Sequence, residues 1–196
     1  MKTYLWRINK TKLKKTNLAL YSHFVKKKHN INLGNDFNDL WKWSIQNPQI
    51  FWKSVWDFTK IKGNQGNTLL KKSNTFYKNR FFPDAKLNYA KNILKKNNEE
   101  KAIIFKSENG YKNNLSWKNL NLRVAKISNW MRSNGIKKGD RIAAYLPNIP
   151  EAVIAYASTA ALGAIWSSCS PDFGTSGVVD RFSQIKPKIL FIGDKY

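Results

Sequence analysis

The sequence predicts an α/β protein in which a parallel sheet with crossover helices fills roughly the last third of the chain, behind a helical and irregular N-terminal part. Three observations predict it. The run from 139 to 185 holds no lysine, although the chain has 29, and a long ammonium side chain is excluded mainly where residues are packed away. From 141 to 192, short apolar runs alternate with helical periods bounded by Gly and Pro, the pattern of successive β/α units. Residues 1–138 hold 30 Lys and Arg against 7 Asp and Glu, whereas the last 58 hold 5 and 5, so the formal charge of +23 lies entirely upstream.

Residues 1–38 mix Tyr, Phe and Lys, including Lys26, Lys27 and Lys28, without sustained periodicity, and read as an irregular basic arm. Residues 39–98 begin with a dense aromatic stretch, Trp41, Trp43, Phe51, Trp52, Val55, Trp56 and Phe58. Asn47 followed by Pro48 has the form of an N-cap with proline at the first helical position, and the stripe beyond it is wide enough to bury against a larger body. Residues 63–72 read as a polar loop. Pro83 and Asp84 then break regular structure before Leu87, Ala90, Ile93 and Leu94 recur at helical spacing.

The remainder, 99–196, carries the sheet. Ala102–Phe105 and Tyr111–Leu115 read as a hairpin around Glu108, Asn109 and Gly110. Ser116 is placed to cap a helix whose apolar positions 117, 120, 124, 127 and 131 repeat every three or four residues, and Gly135 to end it. A strand at Arg141–Leu146 follows, then a capping box of Asn148 and Glu151 around Pro150, and a small-residue helix from 150 to 162 closed by Gly163. Ala164–Ser168 is a second strand, Ser170–Gly174 a tight loop, Ser176–Ile185 a helix exposing Asp180 and Arg181, and Lys188–Ile192 a third strand. This order predicts right-handed crossovers and a sheet covered on both faces. Three short strands make a small sheet, so the domain is expected to be truncated.

Composition excludes several classes. With 42% hydrophobic and 14% aromatic residues the chain is not disordered. No run approaches the ~18 apolar residues of a membrane span, and the N-terminus lacks the apolar core of a secretory signal, so a cytoplasmic protein is expected. A single cysteine, Cys169, excludes an internal disulfide. The charge invites a nucleic-acid reading, yet Lys outnumbers Arg 29 to 6 and Asn occurs 23 times. A compositional bias toward Lys and Asn accounts for both excesses, and nucleic acid is not the expected partner.

No catalytic constellation stands out. His23 and His29 both lie in the arm with no metal-ligand spacing, so no metal site is expected. There is no GxxxxGK[ST] loop and no GxGxxG. Gly174 and Gly177 frame Thr175 and Ser176 ahead of a helix, a weak anion-binding pattern, and Cys169 has no histidine to activate it.

Read as words, GIKKGDRIAAYLPNIPEAVIAYASTAALGAIWSS resembles the start of the large domain of adenylate-forming acyl-CoA synthetases. SSCSPDFGTSGVVDRFSQIKPKILFIGDKY is similar to the corresponding part of the acetoacetyl-CoA synthetases in that family. Asp39–Phe58 and FFPDAKLNYA resemble the extension that these short-chain synthetases place before the catalytic core. The resemblance covers about 36–196 and implies an N-terminal extension over 39–98, followed by the first β/α units of the large domain over 99–196, incomplete. It implies a full-length acetoacetate-CoA ligase that uses ATP, Mg2+ and coenzyme A. It also implies that the phosphate loop, the nucleotide contacts and the catalytic lysine lie downstream, so this chain is expected to be inactive alone and to hold no cofactor. One site is carried over: by position, Ser170, Pro171 and Asp172 resemble the segment that lines the coenzyme A entrance in the related acetyl-CoA synthetases, which carry other residues there. Asp180 and Arg181 match a family pair expected to form a structural salt bridge or helix-end contact. Two other readings stay open: an interaction module that complements a separately encoded remainder of the synthetase, and a basic nucleic-acid binder built on Lys2 to Lys28 with the pairs Lys71-Lys72 and Lys95-Lys96.

Overall fold

A computed structural model describes residues 8–31, 33 and 37–193. Lys2, at the start of the basic arm, and the last residue, Tyr196, therefore lie outside the described residues. The chain divides into two compact units, Met1–Lys86 and Leu87–Tyr196.

The first unit opens with α1 (Lys10–Leu13) and α2 (Asn17–His29), followed by α3 (Phe37–Gln46) and α4 (Pro48–Phe58). The expectation of an irregular arm over 1–38 therefore fails between Asn17 and His29. Thr16 caps α2 by accepting from the Ala19 amide at 3.3 Å. Tyr21 and Val25, one turn apart, are buried in a cluster with Leu33 and Leu40, so tertiary burial of one short face supplies what weak periodicity does not. The aromatic helix docks as expected. Phe51 and Phe58 of α4 close on Tyr21 at ring separations of 6.1 and 5.2 Å, while Trp52 and Trp56 meet Phe81 and Phe82 at 5.7 and 5.3 Å. Asn47 does occupy the N-cap position, with Pro48 at the first turn, but makes no side-chain cap. Its side-chain amide instead donates to the Trp43 carbonyl at 3.2 Å, closing the end of α3.

The polar loop contains β1 (Gly63–Asn64) and β2 (Leu70–Lys71), and β2 pairs antiparallel with β3 (Arg80–Phe81) beyond a 3-10 turn at Phe76–Lys78. Gly66 adopts φ +75°, and a Cβ there would lie 2.6 Å from the Asp84 Cβ. The tight return requires glycine on both counts. A short β4 (Lys86–Leu87) leads out of this segment.

The second unit begins with α5 (Tyr89–Ile93), capped by Asn88. A hairpin follows, β5 (Lys101–Lys106) and β6 (Lys112–Ser116), with Gly110 at positive φ in the turn. Ser116 caps α6 (Trp117–Ser133) by accepting from the Asn119 amide at 3.2 Å, and Gly135 at φ +77° closes its exit, as the sequence predicts. Three parallel strands complete the unit: β7 (Arg141–Tyr145), β8 (Ile165–Cys169) and β9 (Ile189–Ile192), in the order β8-β7-β9. The crossovers are α7 (Pro150–Ala161) and α8 (Thr175–Ile185).

The central strand is buried on both faces. Ile142 packs with Met131 and Ile136 on one side, and Ala143 packs with Val178 and Phe182 of α8 on the other. Helices α6 and α7 join through Leu120, Val124, Ile154 and Ala157. The absence of lysine is explained here: Ala157, Ser158 and Thr159 are completely buried. Both hydroxyls are satisfied within the helix, Ser158 donating to the Ile154 carbonyl at 2.7 Å and Thr159 to that of Ala155 at 2.8 Å. The capping box is overturned. Pro150 takes the first helical position, so the N-cap is Ile149 and Asn148 stands one residue too early. Glu151 lies 3.7 Å from Arg123 instead. Among the described residues no helix is long and apolar enough to cross a membrane.

Candidate functional site

In an open parallel sheet the ligand crevice lies beyond the carboxyl ends of the strands. Here β7 runs into Leu146, Pro147 and Asn148, and β8 into the loop 170–174. Between them lies a crevice of about 370 Å³, lined among others by Asn148, Tyr156, Trp166, Ser168, Cys169 and Ser170. Its walls mix aromatic surface with hydroxyl and amide groups. Among the described residues, no carboxylate, imidazole, amine or guanidinium lines it.

The loop has a defined shape. Ser170 Oγ donates to the Asp172 carboxylate at 2.5 Å, and the Phe173 amide donates to the Ser170 carbonyl at 3.1 Å. Tyr145, paired in register with Cys169, brings its hydroxyl to 2.9 Å from both the Pro171 and the Phe173 carbonyls. Arg181 lies over the Phe173 ring, its guanidinium carbon 4.1 Å from the centroid, a cation–π contact. Asp180 accepts from Gln184 at 3.4 Å. Of the two contacts expected for Asp180 and Arg181, the salt bridge between them is not what forms: Arg181 stacks on Phe173, just ahead of the first turn of α8, and Asp180 takes an intrahelical hydrogen bond.

Of the residues singled out in the sequence, Ser170 lines the crevice and Pro171 and Asp172 form the loop beside it. Thr175 and Ser176 open α8, whose N-cap, Gly174, makes no side-chain cap. Cys169 is buried with Ala143, Val178 and Phe182, as a small strand-end side chain. His23 and His29 fall in α2 of the first unit. Among the described residues no group of three His, Cys, Asp or Glu could hold a metal. Sequence reasoning passed over Tyr145. The signal was available: alternation in RIAAY puts Tyr145 on the Ala143 face at a strand end, where an aromatic with a polar tip usually spends its hydroxyl on a partner.

A second crevice of about 340 Å³ lies on the β9 side of β7, lined by Ile127, Leu146, Ile154, Phe191 and Ile192, with Arg123 and Lys126. At the amino end of the sheet, Asp140 accepts from Lys188 Nζ at 2.9 Å and from the Lys137 amide at 2.8 Å. The Lys188 hydrogen bond, followed by that amide, holds its carboxyl below the usual range. That cluster joins β9 to the entry of β7, away from the loop.

Comparison with known proteins gives a consistent result. A family model described as AMP-binding enzyme matches residues 91–196, and one described as acetyl-coenzyme A synthetase N-terminus matches residues 37–93. The acetoacetyl-coenzyme A synthetase of Rhizobium meliloti (strain 1021) is 42% identical over 161 residues, covering 82% of this chain and 25% of the relative. The acetoacetyl-CoA synthetase of Mus musculus is 38% identical over 163 residues, covering 81% and 24%. A solved structure, acetoacetyl-CoA synthetase from Streptomyces lividans, superposes with a TM-score of 0.87 at 30% identity, covering 97% of this chain and 30% of that one. The chain spans about a quarter of the length of the curated relatives it matches.

Proposed function

This chain belongs to the AMP-binding enzyme family, and from that membership we propose that it supplies the N-terminal extension and opening β/α units of an ATP-dependent acid–thiol ligase acting on acetoacetate. The observation that carries the reading is the 0.87 TM-score to the Streptomyces lividans synthetase over 97% of the chain. The Rhizobium and mouse relatives support the same substrate. In such a ligase the acetoacetate carboxylate attacks the α-phosphorus of ATP, expelling pyrophosphate, and the coenzyme A thiol then displaces AMP from the acyl-adenylate. ATP with Mg2+ supplies the leaving group and its charge neutralisation when bound. The ligase is read as a cytoplasmic enzyme.

Within the chain, the loop of Ser170, Pro171 and Asp172 borders the coenzyme A entrance, with Ser170 on its wall. The crevice beside them fits a pantetheine arm in chemistry: aromatic surface from Tyr156 and Trp166 for methylenes, and Asn148, Ser168 and Ser170 for amides. Nothing among the described residues is assigned to ATP or Mg2+.

The test is a chimera in which this chain replaces the matching segment of the Streptomyces lividans synthetase. With acetoacetate, ATP, Mg2+ and coenzyme A, the chimera is expected to form AMP and acetoacetyl-CoA, and this chain alone no AMP above background. A folded chimera that is inactive with acetoacetate, or AMP release by the chain alone, overturns the reading.

A further inference from the structure

Tyr145 is the last residue of the central strand and packs against the cluster of Ala143, Cys169, Val178 and Phe182. Its hydroxyl stands 2.9 Å from two carbonyls of one loop, Pro171 and Phe173. A phenol has a single proton, so the two acceptors share it, and both carbonyls are turned inward toward the strand. Ser170–Asp172 and Phe173–Ser170 are bonds within the loop. Tyr145 ties that local turn to the sheet, across 26 residues of sequence.

We propose that Tyr145 is a positioning residue for the candidate coenzyme A entrance: through its hydroxyl it holds 170–174 in the shape that receives the ligand. The ligand half of this proposal rests on the reading of Ser170–Asp172 given above. The sheet fixes the tyrosine, and the tyrosine fixes the loop. Arg181 of α8 also stacks on the Phe173 ring, but that contact holds a side chain, whereas the Tyr145 hydroxyl holds the backbone carbonyls of Pro171 and Phe173. A loop without that backbone tie would sample other turns, and the affinity of a ligand falls with the fraction of protein in the competent conformation.

The experiment compares the full chain with Tyr145→Phe, which keeps the ring, and with Val178→Ala, which thins the same cluster and keeps the Val178 amide on the Gly174 carbonyl. Amide hydrogen exchange over 170–174 is expected to speed up about 5- to 10-fold in Tyr145→Phe and to stay near wild type in Val178→Ala. Titration with coenzyme A, carried out on the chimera with the Streptomyces lividans synthetase described above, is expected to give a several-fold weaker Kd when it carries Tyr145→Phe and one within twofold of the unsubstituted chimera when it carries Val178→Ala. Unchanged exchange in Tyr145→Phe overturns the positioning role. Faster exchange with an unaltered Kd overturns its link to the ligand. No binding of coenzyme A by the unsubstituted chimera overturns the ligand reading of the loop, while the exchange data on the full chain still decide what Tyr145 does.

Discussion

Asn88 donates its side-chain amide to the Ala160 carbonyl at 2.8 Å, 72 residues away, and to that of Ala161 at 3.2 Å. The oxygen of the same side chain accepts from the Lys91 amide at 3.0 Å. One residue therefore caps the start of α5 and adds a donor to two carbonyls of the last turn of α7, of which that of Ala160 also accepts from the Gly163 amide at 3.0 Å. Asn88→Ala is expected to cost about 2 kcal/mol, the sum of a lost cap and lost donors to carbonyls. Asn88→Asp keeps the cap but turns a carboxylate toward the negative end of α7, so it is expected to be at least as destabilising near pH 7 and to recover below about pH 4. Urea denaturation across pH checks both; an Asp variant as stable as wild type at neutral pH contradicts the assignment.

Tyr21 and Ser54 form a buried pair at 2.6 Å, and Ser54 also donates to the Phe51 carbonyl at 2.7 Å. Burial pushes the Tyr21 phenol above its usual pKa, partly offset by the Ser54 hydrogen bond. A raised folded-state pKa means stability that is whole below the unfolded value, about 10, and lost as pH climbs through the folded one. Tyr21→Phe is expected to cost about 1 kcal/mol at pH 7 and to flatten the fall in stability above about pH 10. Denaturation between pH 8 and 11 measures it; an equally steep alkaline fall in the variant would place the titrating group elsewhere.

Asp57 of α4 pairs with Lys28 of α2 and, at 3.4 Å, with Lys53. Burial alone would raise its pKa, but the Lys28 hydrogen bond and the attraction of Lys53 and Lys28 outweigh it, and the carboxyl sits below its ordinary value. The sign is then opposite to that of Tyr21: the contribution is complete above the unfolded pKa, about 4, and is lost as pH falls through the lower folded value. Asp57→Asn should cost only about 0.5 kcal/mol at pH 7, because the pair is partly solvated. The difference should shrink in high salt and vanish toward pH 2. A gap that survives at pH 2 would mean packing, not charge, is responsible.

The sheet was legible because burial on both faces leaves a direct mark on composition: Ile142, Ala143 and Ala144 are wholly buried and read as an unbroken apolar run. Caps were legible where one residue decides them, as at Ser116, and misread where register decides. At Asn148 the proline shifts the helix start by one residue. The second strand begins at Ile165 rather than Ala164 because the Ala164 amide still donates to the Thr159 carbonyl at the helix exit. Helix α2 was missed because its buried face, Tyr21 and Val25, is narrow and takes its meaning from α3 and α4. At the candidate site the loop was readable from Ser170, Pro171 and Gly174, and its tether only in part, since alternation puts Tyr145 at the strand end without naming its partner. Nothing local in the sequence says that Tyr145 reaches Pro171.

The β9 edge argues for a final prediction. Register sets Leu190 opposite Ala143 and Ile192 opposite Tyr145, on the side of the sheet that carries α8. Helix α8 covers the central strand, yet Leu190 is 48% and Ile192 65% exposed, as are Ile165 at 52% on the opposite flank and Val179 at 60% on α8 itself. Apolar side chains on an open strand edge invite pairing with another chain. The +23 charge would normally oppose self-association, but residues 139–196 are neutral overall, so repulsion acts only from a distance and is screened by salt. The purified chain is therefore expected to self-associate at tens of micromolar, more strongly as salt rises from about 0.05 to 0.5 M. Ile192→Lys is expected to return it to monomer without lowering its thermal stability, since the residue is mostly solvated in the folded chain. Light scattering after size exclusion measures both. A monomer at all salt concentrations, or association that Ile192→Lys leaves intact, would move the adhesive surface away from β9.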